Sequence, residues 1–159
     1  MTTLCRNYTP RDVKQIVRLL KMFQEEHRAM EPTTSLSADE IVLQGYVEFL
    51  IDSCQPNLGN VTVAEYDGMV VGYAAYWEEP IRFSRVTKQL YLSDLFVDPA
   101  YRGRGIGKAL LVQVEKAAAD RGLSQIGLTV LARNAAARAL YEKIGYRDYE
   151  SHMVKILST

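Results

Sequence analysis

Cysteine is scarce in this sequence: Cys5 and Cys54 are the only two in 159 residues. A disulfide framework needs more, and no CxxC spacing is present to hold zinc. Both therefore read as reduced packing residues. An excess of charge is missing too, because 19 basic residues balance 19 acidic ones. Nothing global attracts the chain to nucleic acid or to a membrane, so any electrostatic binding must arise from local clustering. No apolar run approaches the roughly 18 residues that span a bilayer. The first residues lack a basic-then-apolar signal pattern. Low-complexity tracts and internal repeats are absent. These absences predict a cytoplasmic protein with no nucleic-acid or membrane partner.

What is present fits an ordinary globular domain. Apolar residues make up 48% of the chain and charged residues 24%, a normal balance. The length suits one domain over residues 1–159 and is enough for a core without staples.

The elements follow from hydrophobic period and punctuation. Residues 4–8 read as a short strand. Residues 11–28 form an amphipathic helix with Val13, Ile16, Val17, Leu20 and Phe23 on one side, capped by Thr9 with Pro10 in its first turn. Residues 38–54 form a second helix, capped by Ser37 with Glu40 three positions on. The period then changes to two. Strands at 61–66 and 69–77 flank Asp67-Gly68, a hairpin turn signal. Residues 90–97 are a strand and 105–121 a helix closed by Gly122. Residues 125–131 are a strand and 134–144 a helix closed by Gly145. Residues 146–149 and 152–157 read as a final hairpin. The order predicts a mixed α/β (α+β) fold: a mixed, mostly antiparallel sheet of about seven strands with helices on both faces.

The chemistry concentrates where strand 90–97 runs into Asp98-Pro99-Ala100-Tyr101 and then Arg102-Gly103-Arg104-Gly105-Ile106-Gly107-Lys108. A strand, a glycine turn and a helix amino terminus make an anion site. Free backbone N–H groups and the helix dipole both point at the ligand. The glycines let backbone approach a diphosphate, and Arg102, Arg104 and Lys108 add positive charge. Two familiar nucleotide patterns fail. A Walker A loop needs four residues between its glycine and Gly-Lys, then Ser or Thr; here three intervene and Ala109 follows. The dinucleotide pattern GxGxxG needs glycine where Lys108 stands.

What fits is R-x-x-G-x-G after Val97-Asp98-Pro99. From Tyr91 to Leu111, the string Tyr91-Leu92-Ser93-Asp94-Leu95-Phe96-Val97 followed by the turn and glycine loop resembles the cofactor motif of the GNAT superfamily of acetyl-CoA-dependent N-acetyltransferases. The resemblance implies that backbone amides from Arg104 to Lys108 hold the CoA pyrophosphate. It also implies that the edge of Leu95, Phe96 and Val97 pairs with pantetheine. Segment 128–146 resembles the family as well: a strand, Asn134 opening a helix, Tyr141 seven residues on, then Gly145-Tyr146. Seven residues is nearly two turns, which places Asn134 and Tyr141 on one face. Asn134 reads both as a helix cap and as a cofactor contact. Tyr141 reads as core by its spacing with Leu140 and Ile144. By the resemblance it is the acid that protonates the departing thiolate.

The base is open. Asp94, on the strand leading to the loop, is the first candidate. Strict alternation puts Asp94 with Phe96 on one face and Ser93 with Leu95 on the other. Some polyamine acetyltransferases of the family carry an acidic pair at the positions of Ser93 and Asp94; Ser93 departs from that. Glu25, Glu26, Glu78 and Glu79 are rivals, and with Glu31 they suggest an acidic mouth. His27 and His152 lack the partners a metal needs, and Cys54 lacks a base for a covalent route. Trp77, Tyr73 and Tyr76 read either as pocket lining or as sheet packing. The expected site is a cleft between strands 90–97 and 125–131, with a backbone N–H near Val97 stabilising the oxyanion. The expected partners are a small amine (polyamine, amino acid or amine-bearing drug) or a peptide acceptor, and family resemblance allows a homodimer. A CoA-binding module without turnover is the reading from a different class.

Overall fold

The computed structural model describes residues 3–33, 39–54, 59–82 and 84–155. The chain divides into two compact units, Met1–Thr129 and Val130–Thr159. The first holds a five-stranded sheet in the order β1-β2-β3-β4-β5. Its strands are β1 (Leu4–Asn7), β2 (Asn60–Tyr66), β3 (Met69–Pro80), β4 (Lys88–Val97) and β5 (Ile126–Leu128). The first four pair antiparallel. β5 runs parallel to β4, and the crossover that a parallel pair requires is α3 (Ile106–Asp120). β2 and β3 close through Asp67 and Gly68, both at positive φ, as a two-residue hairpin of matching twist demands.

Helices cover both faces of this sheet. α1 (Val13–Met30) and α2 (Glu40–Cys54) bury Ile16, Leu19, Leu20, Leu43, Val47 and Leu50 against Val61, Val63, Tyr73, Ala75 and Phe96. Gly72 and Tyr76 alternate with Tyr73 and Ala75, so they face the other way. There they meet α3 and its end: a Cβ on Gly72 would lie 3.3 Å from Leu110 Cδ1, and the Arg121 guanidinium sits over the Tyr76 ring. The entry to α1 is tied down by charge. Arg6 grips both oxygens of Asp12 at 2.7 and 3.0 Å, and Asp12 also accepts the Thr9 N–H at 2.7 Å. Thr9 and Pro10 thus open the segment as expected, through a single 3-10 turn, Pro10–Asp12.

Three expectations change. The cap Ser37 and first residue Ala38 of the second helix lie outside the described residues; Asp39 Oδ1 accepts the Ile41 N–H at the start of α2 instead. β5 is three residues long rather than seven. Its pairing ends at Leu92↔Leu128, where β4 carries a bulge. Asp94 opposes Ala75 while Leu92 opposes Tyr76, so Ser93 is an extra residue that bends the strand away. Among the described residues the sheet has five strands rather than about seven, because residues 146–155 form no strand. In the second unit the only helix or strand among the described residues is α4 (Ala135–Lys143). Alternating residues become a strand only when a ladder partner satisfies the backbone. Residues 147–155 pair with no strand among the described residues, and Tyr149, Met153 and Val154 are left largely exposed. The remainder of the expected strand, 156–157, lies outside the described residues.

Candidate active site

Asp98 turns the chain out of β4. Its N–H bonds Val71 O at 2.8 Å, one carboxylate oxygen accepts the Ala100 N–H at 3.0 Å, and the other accepts Arg18 at 2.8 Å. Arg18 also donates to Val70 O, so α1 is pinned to the ends of β3 and β4. These contacts hold the carboxyl of Asp98 below the usual carboxylate range, despite its burial. The glycine loop follows. Gly103 and Gly105 have φ of 75° and 79°, a left-handed conformation that other residues adopt at a cost. A Cβ on either would meet nothing within 4 Å, so the space in front of the loop is open.

Gly105 is the N-cap of α3 and supplies no side-chain acceptor. The bond from the Ala109 N–H to Gly105 O, at 2.9 Å, starts the helix ladder. The N–H groups of Ile106, Gly107 and Lys108 therefore precede it, at the positive end of the dipole. Ile106 is 2% exposed and anchors this turn in the core while leaving its amide for a ligand. Uncapped amides, open space and a helix dipole fit the pyrophosphate of CoA.

The three loop cations divide. Arg102 turns back: its Nε donates to Val97 O at 3.0 Å, its guanidinium pairs with Glu26 at 2.9 Å and lies over the Phe96 ring. It tethers the loop to β4 and α1. Arg104 donates to the Tyr66 hydroxyl and packs over the rings of Tyr66 and Tyr101. Lys108 is exposed on the first turn of α3.

Leu95, Phe96 and Val97 are the last three residues of β4. Phe96 is buried toward α1, its ring centroid 5.6 Å from Phe23, so its contribution outward is backbone alone. β3 takes one edge of residues 94–97. Beyond Leu92, the other edge has no strand partner among the described residues. A free edge of this kind accepts an extended amide-bearing ligand as an added strand.

Asp94 is 4% exposed. It faces α2, where Tyr46 donates to its Oδ1 at 3.1 Å, and β3, where Tyr73 donates to Oδ2 at 3.2 Å. The Ser93 hydroxyl donates to Oδ1 at 3.2 Å. Burial pushes the carboxyl upward, and the three hydroxyls pull it back only in part. Burial likewise raises Tyr73 and Tyr46. Alternation had assigned Ser93 and Asp94 to opposite faces. The bulge overrides it and lets two neighbours share a hydrogen bond.

In the second unit, Asn134 Oδ1 accepts the Ala137 N–H at 3.1 Å, so its capping role is realised. Tyr141 is half-buried, with its ring centroid 5.6 Å from that of Tyr146. Its carbonyl accepts the N–H groups of Ile144 and Tyr146. Arg138 bonds Asp148 at 2.9 Å.

Other tempting residues are spent elsewhere. Four of the five acidic residues weighed for a cation-attracting mouth have polar partners of their own. Glu26 holds Arg102, Glu31 accepts the Thr33 hydroxyl, Glu78 pairs with Lys88 at 3.5 Å and Glu79 accepts from Gln89 at 2.9 Å. Cys54 is buried and donates to Tyr76 O, and burial raises its thiol to about 11. Tyr73 and Tyr76 are sheet packing, fully or nearly buried, whereas Trp77 is only partly buried, its ring tilted against that of Tyr91 with centroids 5.8 Å apart. Among the described residues no group of three potential ligands could hold a metal, and no helix is long and apolar enough to cross a membrane. Sequence reasoning missed Tyr46, Arg18 and the structural work of Asp98. A carboxylate closing β4 and an arginine on α1 gave no local sign that they would meet.

Comparison with known proteins agrees with this architecture. The family model for the acetyltransferase (GNAT) family matches residues 16–146. A thialysine N-epsilon-acetyltransferase of Bos taurus is 32% identical over 141 residues, covering 86% of this chain and 79% of that protein. The [ribosomal protein bS18]-alanine N-acetyltransferase of Escherichia coli (strain K12) is 40% identical over 63 residues, covering 40% of this chain and 43% of its own. In three dimensions the chain is similar to AAC(6')-Iy in complex with the bisubstrate analog CoA-S-monomethyl-acetylneamine. That similarity has a TM-score of 0.73 at 14% identity and covers all of both chains. This chain belongs to the GNAT family of acetyltransferases. It is an acyltransferase enzyme.

Proposed function

We propose that this enzyme transfers acetyl from acetyl-CoA directly to the primary amine of a small molecule. The observation that carries the reading is the pairing of an uncapped α3 amino terminus with an open β4 edge. One fits a pyrophosphate and the other an extended pantetheine amide chain. The amides of residues 104–108 hold the diphosphate, with Lys108 adding charge. The edge of Leu95, Phe96 and Val97 positions the thioester, and a backbone N–H near Val97 stabilises the oxyanion. Asp94 is the terminal acceptor of the amine's proton. Tyr141, by the resemblance of its segment to the family, protonates the departing thiolate, and Asn134 adds a cofactor contact. The small-amine choice is supported by the relative that aligns along most of the chain, a thialysine acetyltransferase. The ribosomal-protein enzyme aligns over 40% of the chain.

The test is CoA release from acetyl-CoA with thialysine, spermidine, an aminoglycoside and an alanine-terminated peptide as acceptors. Turnover on at least one small amine is expected, and turnover on the peptide alone would sink the small-amine reading. Tyr141→Phe is expected to lower kcat by about 10²-fold or more while acetyl-CoA still binds. Binding of CoA with no turnover on any acceptor would identify a ligand-binding module instead.

A further inference from the structure

The sealed carboxyl of Asp94 poses a problem of access. A general base must come within hydrogen-bond reach of the proton it removes, directly or through one intermediary. Asp94 is 4% exposed, and α2, β3 and β4 close around it. Of its three hydrogen-bond donors, Tyr73 is fully buried. Tyr46 and Ser93 are half-buried. Tyr46 belongs to α2. Ser93 belongs to β4 itself, at the bulged position where the β4–β5 pairing stops and the open edge begins.

We propose that Ser93 is the catalytic residue that meets the acceptor amine and relays its proton to Asp94, with Tyr46 as a positioning residue on the same carboxylate. The inference rests on the acetyl-transfer reading and adds the path of the proton. Ser93 Oγ already donates to Asp94 Oδ1 at 3.2 Å. As the substrate ammonium gives a proton to Oγ, the hydroxyl proton of Ser93 passes to Oδ1. The freed amine lone pair then attacks the thioester carbonyl carbon. The C–N bond forms, the C–S bond breaks, Tyr141 protonates the CoA thiolate, and the second proton released from nitrogen restores the Tyr141 hydroxyl. Asp94 returns its own proton to solvent through Ser93 before the next turnover. The net reaction is ammonium plus thioester to amide, thiol and one proton.

The bulge makes this relay available. In a regular strand, neighbours point to opposite faces, and a serine could not bond the carboxylate beside it in this way. Other groups acting from the surrounding elements are few. α2 contributes Tyr46 and the Cys54 thiol, β3 contributes Tyr73, and α1 places Phe23 against the adjacent Phe96. Asp94 therefore sits among hydroxyls and apolar groups, and the groups that act on its titration include no cation. That leaves it a stronger proton acceptor than a solvated or ion-paired carboxylate.

The experiment measures kcat/KM against pH for wild type, Ser93→Ala, Ser93→Thr and Tyr46→Phe, using thialysine, spermidine and L-lysine as acceptors. Ser93→Ala is expected to fall about 10²-fold at neutral pH with the KM for acetyl-CoA unchanged. It should recover as pH rises toward the amine's own pKa, because a free amine needs no relay. Ser93→Thr keeps the hydroxyl and should keep most of the rate. Tyr46→Phe removes one donor that favours the charged carboxylate, so the acidic limb of its profile should move to higher pH. Wild-type kcat/KM in Ser93→Ala at every pH, a Ser93→Thr as slow as Ser93→Ala, or an unmoved limb in Tyr46→Phe would each overturn the relay alone. No turnover by wild type on any acceptor would overturn the acetyl-transfer reading and the relay with it.

Discussion

Two aspartates show how far surroundings decide what one side chain does. Asp12 and Asp94 are both buried. Asp12 is gripped by Arg6 and bonded by Thr9, and the Arg6 hydrogen bonds lower it to about 2 from an ordinary 3.8. Asp94 has only hydroxyl donors, so desolvation wins and it is raised. The consequences for stability have opposite sign. A depressed carboxyl contributes stability that is complete above its unfolded value and is lost as pH falls through its folded one. For Asp12 that window runs from about 3.8 down to about 2, and the contribution is about 2 kcal/mol. A raised carboxyl costs stability as pH climbs from 3.8 toward its folded value. Urea denaturation should therefore show Asp12→Asn less stable than wild type at pH 7, with the gap closing toward pH 2. Asp94→Asn should show no such loss at neutral pH. A gap for Asp12→Asn that is the same at pH 7 and pH 2 would contradict this assignment.

At the scale of elements, the proposed cofactor site is a junction: β4, a glycine turn and the first turn of α3. Gly105 closes that junction at φ 79° with nothing near its absent side chain. A Gly105→Ala substitution thus meets no clash and acts only through backbone strain, about 1–2 kcal/mol. Relief of that strain would swing the amides of residues 106–108 away from the diphosphate. The expected outcome is a modest loss of melting temperature and a weaker acetyl-CoA affinity by isothermal titration, with kcat at saturating acetyl-CoA less affected. Unchanged affinity would show that the loop amides do not hold the ligand. This junction was legible in the sequence because glycines, a preceding strand and a following helix are local signals. The β2–β3 hairpin was legible for the same reason, from Asp67-Gly68. The bulge at Ser93 was not. No residue type announces an extra residue in a strand whose partner, Tyr76↔Leu92 on one side of it and Ala75↔Asp94 on the other, is distant in sequence. Strict alternation through residues 93 and 94 therefore puts Asp94 with Phe96, as observed, but sends Ser93 to the opposite face, away from the carboxylate it bonds. The expected strand 146–149 and the described part, 152–155, of the expected strand 152–157 failed in the reverse direction. Their alternation was local and visible, whereas a strand is completed by a partner that alternation does not supply.

Taken as a whole molecule, the enzyme has its proposed phosphate-binding loop in the unit Met1–Thr129, while Tyr141 belongs to Val130–Thr159. Stabilisation by ligand can thus be separated from catalysis. A ligand that binds only the folded state at about 100 times its Kd stabilises by about 2.7 kcal/mol. For a chain of this size each kcal/mol moves the melting temperature by about 2–4 °C, so acetyl-CoA should raise it by about 5–10 °C. ATP and NAD carry phosphates without a pantetheine arm, so on the proposed site they can use the α3 amides but not the β4 edge. They should shift it far less at the same concentration. The contrast tests both halves of the site together. Equal shifts from acetyl-CoA and ATP would mean that the loop alone recognises phosphate and that the open edge of residues 94–97 takes no part. A large acetyl-CoA shift that survives in Tyr141→Phe, alongside lost turnover, would separate cofactor binding from the part Tyr141 takes in proton delivery.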